Sequence, residues 1–404
     1  MSRTRPLTIA DLCPYWTAPP TGGGPIRVNR MNSVVARRLN VQQFSARPTF
    51  GHQSGGRASW IGSRTRRLSD RYIEFQYFHP LLLGAGYALY RAGQHTDLWL
   101  SSLLRRLSPH YLDRALDGAD IIQVEHPWLA KLAHARANGR PIIYVAHNVE
   151  AVLWQRAGRN GLSRKLLDVH ECEQHAVHHA AAVVAMSEAD VQLLDEWYGL
   201  SRSRVHIIPN GVDTTACQPV SAEQKKLLRA RLGLDTRPVL LFMGSDHFPN
   251  KEALALIRQW QADLGPKLGV QFLVVGGVGQ GVKSTGWMRV EGYVADVKDY
   301  LGAADIALNP LLSGSGTSLK IVEYLACGLP TITTGVGMRG LELVPDRDVL
   351  CGPPDQFPAL IEALVNDEAL RLRLGENGRQ AVVERYSWDT LGARMFDVYE
   401  QVMS

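Results

Sequence analysis

The chain has 404 residues, 45% hydrophobic and 21% charged, which fits a globular protein of two or three domains and excludes a disordered or fibrous one. Its net charge of +5 is uneven: residues 1–205 carry 25 Lys+Arg against 16 Asp+Glu (+9), and residues 206–404 carry 19 against 23 (−4). No stretch reaches the ~18 apolar residues of a membrane-spanning helix, and no helix-turn-helix, zinc-finger or RNA-binding signature accompanies the basic half, so no nucleic-acid partner is expected.

The segment Met1–Tyr15 contains Asp11 and lacks an apolar run, which predicts no signal peptide. The five cysteines (13, 172, 217, 327, 351) are scattered without a Cys-x-x-Cys, the usage of reduced thiols in a cytoplasmic protein. Gly22-Gly23-Gly24 follows Pro19-Pro20 and offers a backbone that a ligand can approach closely, with a helix expected from near Arg27. The alternative for this run is a plain flexible turn. Residues 40–110 are the least legible. Arg57, Arg64, Arg66, Arg67 and Arg71 form either a solvated surface or a basic lobe that holds the protein at an anionic membrane, at about 1 kcal/mol per basic residue. The apolar patch Pro80–Leu89 predicts a buried helix, or else an amphipathic membrane-surface segment.

Short buried strands are predicted at Asp120–Val124, Pro141–Val145 and Ala182–Ala185, and helices at Ser163–His179 and Glu188–Tyr198. His206-Ile-Ile reads as a strand ending in a Pro209-Asn210-Gly211 turn, which marks a boundary near Arg204–Val212. Beyond it strands at Val239–Met243, Phe272–Val275, Arg289–Glu291, Ile306–Leu308 and Thr331–Thr333 alternate with helices at Glu252–Leu264, Val297–Ala303 and Leu319–Ala326. This alternation predicts an α/β protein with two doubly wound, Rossmann-like parallel sheets and a ligand cleft between them. Two strings resemble sites without the right spacing or context. Asp346-Arg-Asp348 lies in a late loop. His170 and His175 stand five apart, where one zinc-binding helix face needs four. No Gly-x-Gly-x-x-Gly opens either half, which argues against a dinucleotide enzyme.

The most informative stretch is Ser313–Pro330. Gly, Ser and Thr fill positions 313–318 before a helix that carries Lys320 and Glu323. A helix that begins in such a turn leaves backbone N–H groups open to an anion, and Lys320 adds a full charge. This string resembles the donor motif of retaining GT-B glycosyltransferases of family 4, in a version reading Gly-Ser-Gly-Thr-x-x-Lys-x-x-Glu.

The resemblance covers residues 205–400 closely and 1–200 loosely. It implies an N-terminal acceptor-side domain at 1–204, a donor domain at 205–387, and a last helix, 388–404, that packs back on the first domain. It implies a metal-independent enzyme with no cofactor. The donor would be a nucleoside diphosphate sugar and the acceptor a sugar, a lipid-linked molecule or a small molecule. Gly316, Thr317, Ser318 and Lys320 would meet the diphosphate, and Glu323 the ribose. Ser315 stands where the family usually has a first Glu. Lys251 would be a second phosphate cation, with Ser245 in place of a usual Arg. Gly276 and Val294 would border the base, Gly23 and Gly24 would lie beside the phosphates, and His147 would face the sugar. For Lys251 the alternative is a solvated lysine, for the Lys320–Glu323 pair an i, i+3 ion pair, for His147 a structural histidine, and for Gly276 and Val294 turn backbone. Glu125 and His126 are weaker acceptor-side candidates, and Glu150 is weaker still. Rival readings are a sugar-nucleotide epimerase or phosphorylase of the same fold, or a nucleotide-binding scaffold that has lost catalysis.

Overall fold

The computed structural model describes residues 5–20, 22–46, 62–91, 96–107, 109–156, 163–294, 296–314 and 316–404; Arg57 and Ser315 lie outside them. The chain forms two compact units, residues 1–209 with 391–404, and residues 210–390.

The first unit holds β1 (Thr8–Cys13), β2 (Asn40–Ala46), β3 (Arg64–Ser69), β4 (Tyr72–Tyr77), β5 (Ile121–Glu125), β6 (Ile142–Ala146), β7 (Ala182–Ala185) and β8 (Val205–Ile207). Its helices are α1 (Gly23–Val35), α2 (Pro80–Arg91), α3 (Leu100–Leu107), α4 (His110–Leu116), α5 (Ala130–Arg136), α6 (Glu150–Arg156), α7 (Ser163–His179) and α8 (Glu188–Tyr198). The strand order is β3-β4-β2-β1-β5-β6-β7-β8, parallel except for the antiparallel β3–β4 pair at the edge. Arg64, Arg66 and Arg67 therefore sit on an edge strand, where charge discourages pairing with another chain. Arg71 donates to the carbonyls of Arg37 and Arg38 just past α1. Helix α2 buries Leu82 and Leu83 and exposes Leu81 and Tyr87, so the Pro80–Leu89 patch is a half-buried helix rather than a fully buried one.

Strands β1, β2 and β4 escaped the sequence reading because one face of this sheet is polar. Asp11, Gln43, Glu74 and Gln123 occupy one register row across four strands. All four are buried and joined by hydrogen bonds: Asn32 donates to Asp11 (2.6 Å) and Gln43 (3.1 Å), and Thr17 N–H and Ser45 Oγ donate to Glu74 (2.7 and 2.8 Å). Burial pushes the Asp11 carboxyl well above its ordinary range, reinforced by the neighbouring Glu125 charge, and burial raises Glu74 likewise. A strand that alternates apolar with buried polar residues does not read as buried.

The second unit holds β9 (Val239–Met243), β10 (Gln271–Val275), β11 (Met288–Gly292), β12 (Ile306–Asn309), β13 (Thr331–Thr333) and β14 (Leu350–Cys351). Its helices are α9 (Ala222–Leu232), α10 (Phe248–Leu268), α11 (Lys298–Ala303), α12 (Leu319–Ala326), α13 (Phe357–Asn366) and α14 (Glu368–Arg385). The all-parallel order β11-β10-β9-β12-β13-β14 is the Rossmann order, whose topological switch lies between β9 and β12. Local signals set the helices. Ser221 and Gln224 form a capping box on α9, a device worth about 1 kcal/mol. Gly269 ends α10 in the left-handed region at φ 62°. Gly265 within α10 leaves room for the Trp287 ring, which a Cβ would strike at 2.6 Å. Trp260 stacks on Phe357 with centroids 4.9 Å apart and helps pack α10 on α13.

The last helix, α15 (Trp388–Met403), packs in the first unit: Tyr399 donates to Gln123 (2.8 Å), and Arg38 lies over the Phe396 ring. Strand β8 pairs with β7, so Val205–Ile207 belongs to the first sheet and not to the second unit, where the boundary at 204/205 had put it.

Candidate functional site

In the second unit the loops after β9 and β12 meet at the switch point. Helix α12 starts there, and its N-terminus is open. Ser318 is the N-cap but gives no capping hydrogen bond, and its Oγ is buried with no partner among the described residues. The preceding backbone is held from outside the helix: Asn210 N–H donates to Thr317 Oγ1 (2.9 Å) and Asn210 Nδ2 to Thr317 O (2.7 Å). Gly316, at φ 62°, offers its carbonyl to Arg339 (3.2 Å). The result is a held turn with one hydroxyl unspent among the described residues, at a helix start whose first N–H groups have no intrahelical partner, the chemistry of an anion cradle.

Lys320 is half-buried overall, but its amine end is deep. Nζ donates to Asn250 Oδ1 (2.5 Å) and sits 4.7 Å from the centre of the Phe242 ring. Burial pulls its pKa down to about 7, against the raising effect of Glu323. Glu323 lies one turn further along α12 and is half-buried. Tyr324 is fully buried and accepts the Met243 N–H (2.7 Å), which pins α12 to the end of β9.

Asn250 was not singled out in the sequence, yet it organises this site. Besides accepting from Lys320 it donates to Ser245 O (3.0 Å) and Ser245 Oγ (3.3 Å), holding the loop after β9. The signal was the Pro249-Asn250 start of α10, one residue before Lys251. Ser245 is exposed. Lys251 pairs with Asp246 at 2.7 Å, with both side chains more than half exposed, so a phosphate would have to draw it from that partner. Gly276 (φ 107°) donates its N–H to Gly292 O (2.6 Å), and a Cβ there would collide with Gly244 O. Gly276 thus closes two loops against each other and spends its N–H within the fold. Val294 is half-buried against the apolar layer that includes Leu301 and Tyr324. Asp348 is buried in a turn, accepting from Val344 N–H (2.9 Å) and Arg347.

The first unit gathers a second cluster at the carboxyl ends of β1, β5 and β6. His147 Nε2 is hydrogen-bonded to Glu125, and its ring stacks on His126 with centroids 4.2 Å apart. His126, at φ 69°, bonds Tyr15 OH (3.0 Å) through Nε2 and Glu150 (2.9 Å) through Nδ1. Burial, then the neighbouring His126, pushes His147 down to about 4, so it is neutral at pH 7 and gives its Nε2–H to Glu125. Burial works against the Glu125 carboxylate, but the contact with His147, followed by Arg27 and Gln123, holds it below the usual range. Arg27 is buried and donates to Ile208 O (2.7 Å) and Pro209 O (2.6 Å). Glu173 of α7 accepts the N–H groups of Glu150 (2.7 Å) and Ala151 (3.2 Å) at the start of α6.

The glycine run opens α1 directly: the helix starts at Gly23, four residues ahead of the expected start near Arg27, and Gly22 (φ 86°) provides no side-chain cap. Gly24 lies against Tyr15, whose OH a Cβ would meet at 2.5 Å. Tyr15 and Arg27 had no motif to announce them; each is a lone side chain recruited by the fold. Elsewhere in this unit, a surface depression of about 460 Å³ is lined by Asp113, Arg114, Asp117 and Arg140. It lies at the amino ends of β5 and β6, opposite to where doubly wound sheets bind ligands.

Comparisons agree with this architecture. The family model described as glycosyl transferases group 1 matches residues 237–367, and glycosyltransferase family 4 matches residues 52–216. The D-inositol 3-phosphate glycosyltransferase of Xylanimonas cellulosilytica is 28% identical over 57% of this chain and 59% of its own. The match therefore spans less than two thirds of that relative. The alpha-maltose-1-phosphate synthase of Mycobacterium tuberculosis is 24% identical over 69% of this chain and 78% of its own. Among solved structures, sucrose-phosphate synthase from Thermosynechococcus elongatus superposes with a TM-score of 0.74 at 18% identity, covering 98% of this chain and 99% of that one. Anabaena HepE in complex with UDP and glucose gives 0.68 at 15% identity, covering 98% and 100%. The chain is a GT-B-fold protein that resembles glycosyltransferase family 4.

Proposed function

We propose that the chain is a glycosyltransferase that moves a sugar from a nucleoside diphosphate sugar to an acceptor hydroxyl with retention of configuration, without a metal ion. The observation that carries this reading is the open start of α12, with the Ser318 Oγ that has no partner among the described residues and the deep amine of Lys320. Negative charge grows on the leaving diphosphate as the glycosidic bond breaks, and fixed donors in a dry site stabilise it most. In this reading the diphosphate takes the α12 N–H groups and Lys320, Lys251 exchanges Asp246 for a phosphate oxygen, and Glu323 binds the ribose hydroxyls. The departing phosphate takes the acceptor proton, and no side chain acts as nucleophile. His147 serves turnover rather than nucleotide affinity. HepE, solved with UDP-glucose, lends support as a protein of the same fold.

A second reading keeps the nucleotide and drops the chemistry. Ser315, in place of the usual Glu, motivates it. The experiment is donor turnover with a panel of acceptors, and NMR of the product for its anomeric configuration. Glu323→Ala and Lys320→Ala should each abolish transfer in folded protein. Unimpaired transfer by either variant would sink the assignment, and nucleotide binding with no turnover on any acceptor would favour the scaffold.

A further inference from the structure

His134 of α5 and His175 and His179 of α7 converge in the first unit. Their ring centroids are 5.3, 4.1 and 4.0 Å apart (134–175, 134–179 and 175–179), and one ring nitrogen from each lies within 4.8 Å of the other two. His175 and His179 stand four apart, so they share a helix face. Two further details prepare the rings. His179 Nδ1 bonds the His175 carbonyl (2.9 Å), which leaves its Nε2 lone pair outward. The His175 Nε2 atom is buried with no hydrogen-bond partner among the described residues. The other histidines of α7 are committed elsewhere, His178 to Tyr198 O and His170 to Tyr198 OH.

We propose that His134, His175 and His179 form a three-histidine site for a divalent transition-metal ion of the zinc class, with water in the fourth position. For three atoms no more than 4.8 Å apart there is always a point within about 2.8 Å of all of them, and zinc–imidazole bonds are about 2.0–2.1 Å. Rotation of the two exposed rings, His134 and His179, closes that gap. A ring N–H bonded to a backbone carbonyl is the usual partner that fixes a metal-ligating imidazole. Three imidazole nitrogens and no thiolate suit Zn²⁺, Ni²⁺, Cu²⁺ or Co²⁺ rather than Mg²⁺ or Ca²⁺. The nearby Lys131 charge is met by Glu171, 2.5 Å away. The ion would clamp α5 to α7, and α7 carries Glu173, which caps α6 beside the His126–Glu150 pair. The site is independent of the proposed transferase reaction.

The test uses the whole chain, free of any histidine tag and dialysed against EDTA. Zn²⁺ is titrated by calorimetry, and Co²⁺ by its visible absorption. The expected result is one equivalent bound with a dissociation constant of about 10 µM or tighter, tetrahedral Co²⁺ bands, and a rise in Tm with Zn²⁺. His179→Gln, at an exposed position, and His134→Ala should each weaken binding at least about tenfold, the low end of the loss seen even when only a ligand's hydrogen-bond partner is removed. Unchanged circular dichroism and urea midpoint would show that the variants fold. Binding weaker than 100 µM, or the same affinity in both variants, would overturn the proposal.

Discussion

If the Lys320 amine meets a phosphate, nucleotide binding must take up a proton. In the free protein burial holds this lysine at about 7, so at pH 7 it is about half charged. A bound diphosphate favours the ammonium and lifts the pKa toward the ordinary lysine value of about 10.4. Affinity then follows the fraction already protonated. For a bound value above 10, the dissociation constant rises about 50-fold between pH 7 and pH 9 from that free value of about 7. The sign is fixed: binding is tighter at lower pH and weakens as pH rises through the free pKa. Calorimetry with a nucleoside diphosphate in buffers of different ionisation enthalpy should register about half a proton taken up at pH 7 and nearly one at pH 8. Lys320→Met should lose about 1.5–3 kcal/mol of affinity at pH 7, the value of a charge-assisted hydrogen bond, and should abolish the proton uptake. An affinity that is flat from pH 7 to 9, or equal uptake in the Met variant, would refute the reasoning.

Asn250→Ala removes the acceptor of the Lys320 amine and the tether of Ser245 together; nucleotide affinity should fall about tenfold, as read by calorimetry, with only a modest drop in Tm. His147→Ala should lower kcat about 100-fold or more and change the nucleotide dissociation constant less than about threefold; the reverse pattern would remove it from the sugar chemistry. Burial, and then the Glu150 charge, raises Glu173 to about 7, above its unfolded value, so its contribution to stability is full below about pH 4.3 and is lost as pH rises through 7. The shift corresponds to about 3 kcal/mol, so urea unfolding of Glu173→Gln should lose less stability than the native chain between pH 4.5 and 7.5. Equal losses in the two proteins would contradict the raised carboxyl.

The second unit was legible because its strands are continuous apolar runs and its motif is contiguous. Val239–Met243, Thr331–Thr333 and Leu319–Ala326 fall where the pattern put them. In the first unit the strands β5, β6 and β7 and the edge strand β8 could be read. Strands β1, β2 and β4 carry Asp11, Gln43 and Glu74 into the core, and a buried polar row is invisible to hydrophobic periodicity. The site divides the same way. Lys320 and Ser318 were visible as a motif, whereas Asn250 and Arg339 enter through tertiary contacts made from other loops. The His134–His175–His179 cluster joins two helices and has no contiguous string. The sequence drew attention instead to His170 and His175, of which His170 is bonded to Tyr198 OH.

In the proposed reaction the open start of α12 holds the diphosphate of a nucleotide sugar. The direct measurement is a thermal-shift panel of the whole chain with UDP, GDP, ADP, dTDP and NAD in EDTA, repeated on Lys320→Met. A ligand at 100 times its dissociation constant stabilises by about 2.7 kcal/mol. One nucleoside diphosphate should raise Tm by several degrees, and the Met variant should lose most of that rise. No shift with any nucleoside diphosphate, a shift with NAD alone, or an undiminished shift in the variant would contradict the account.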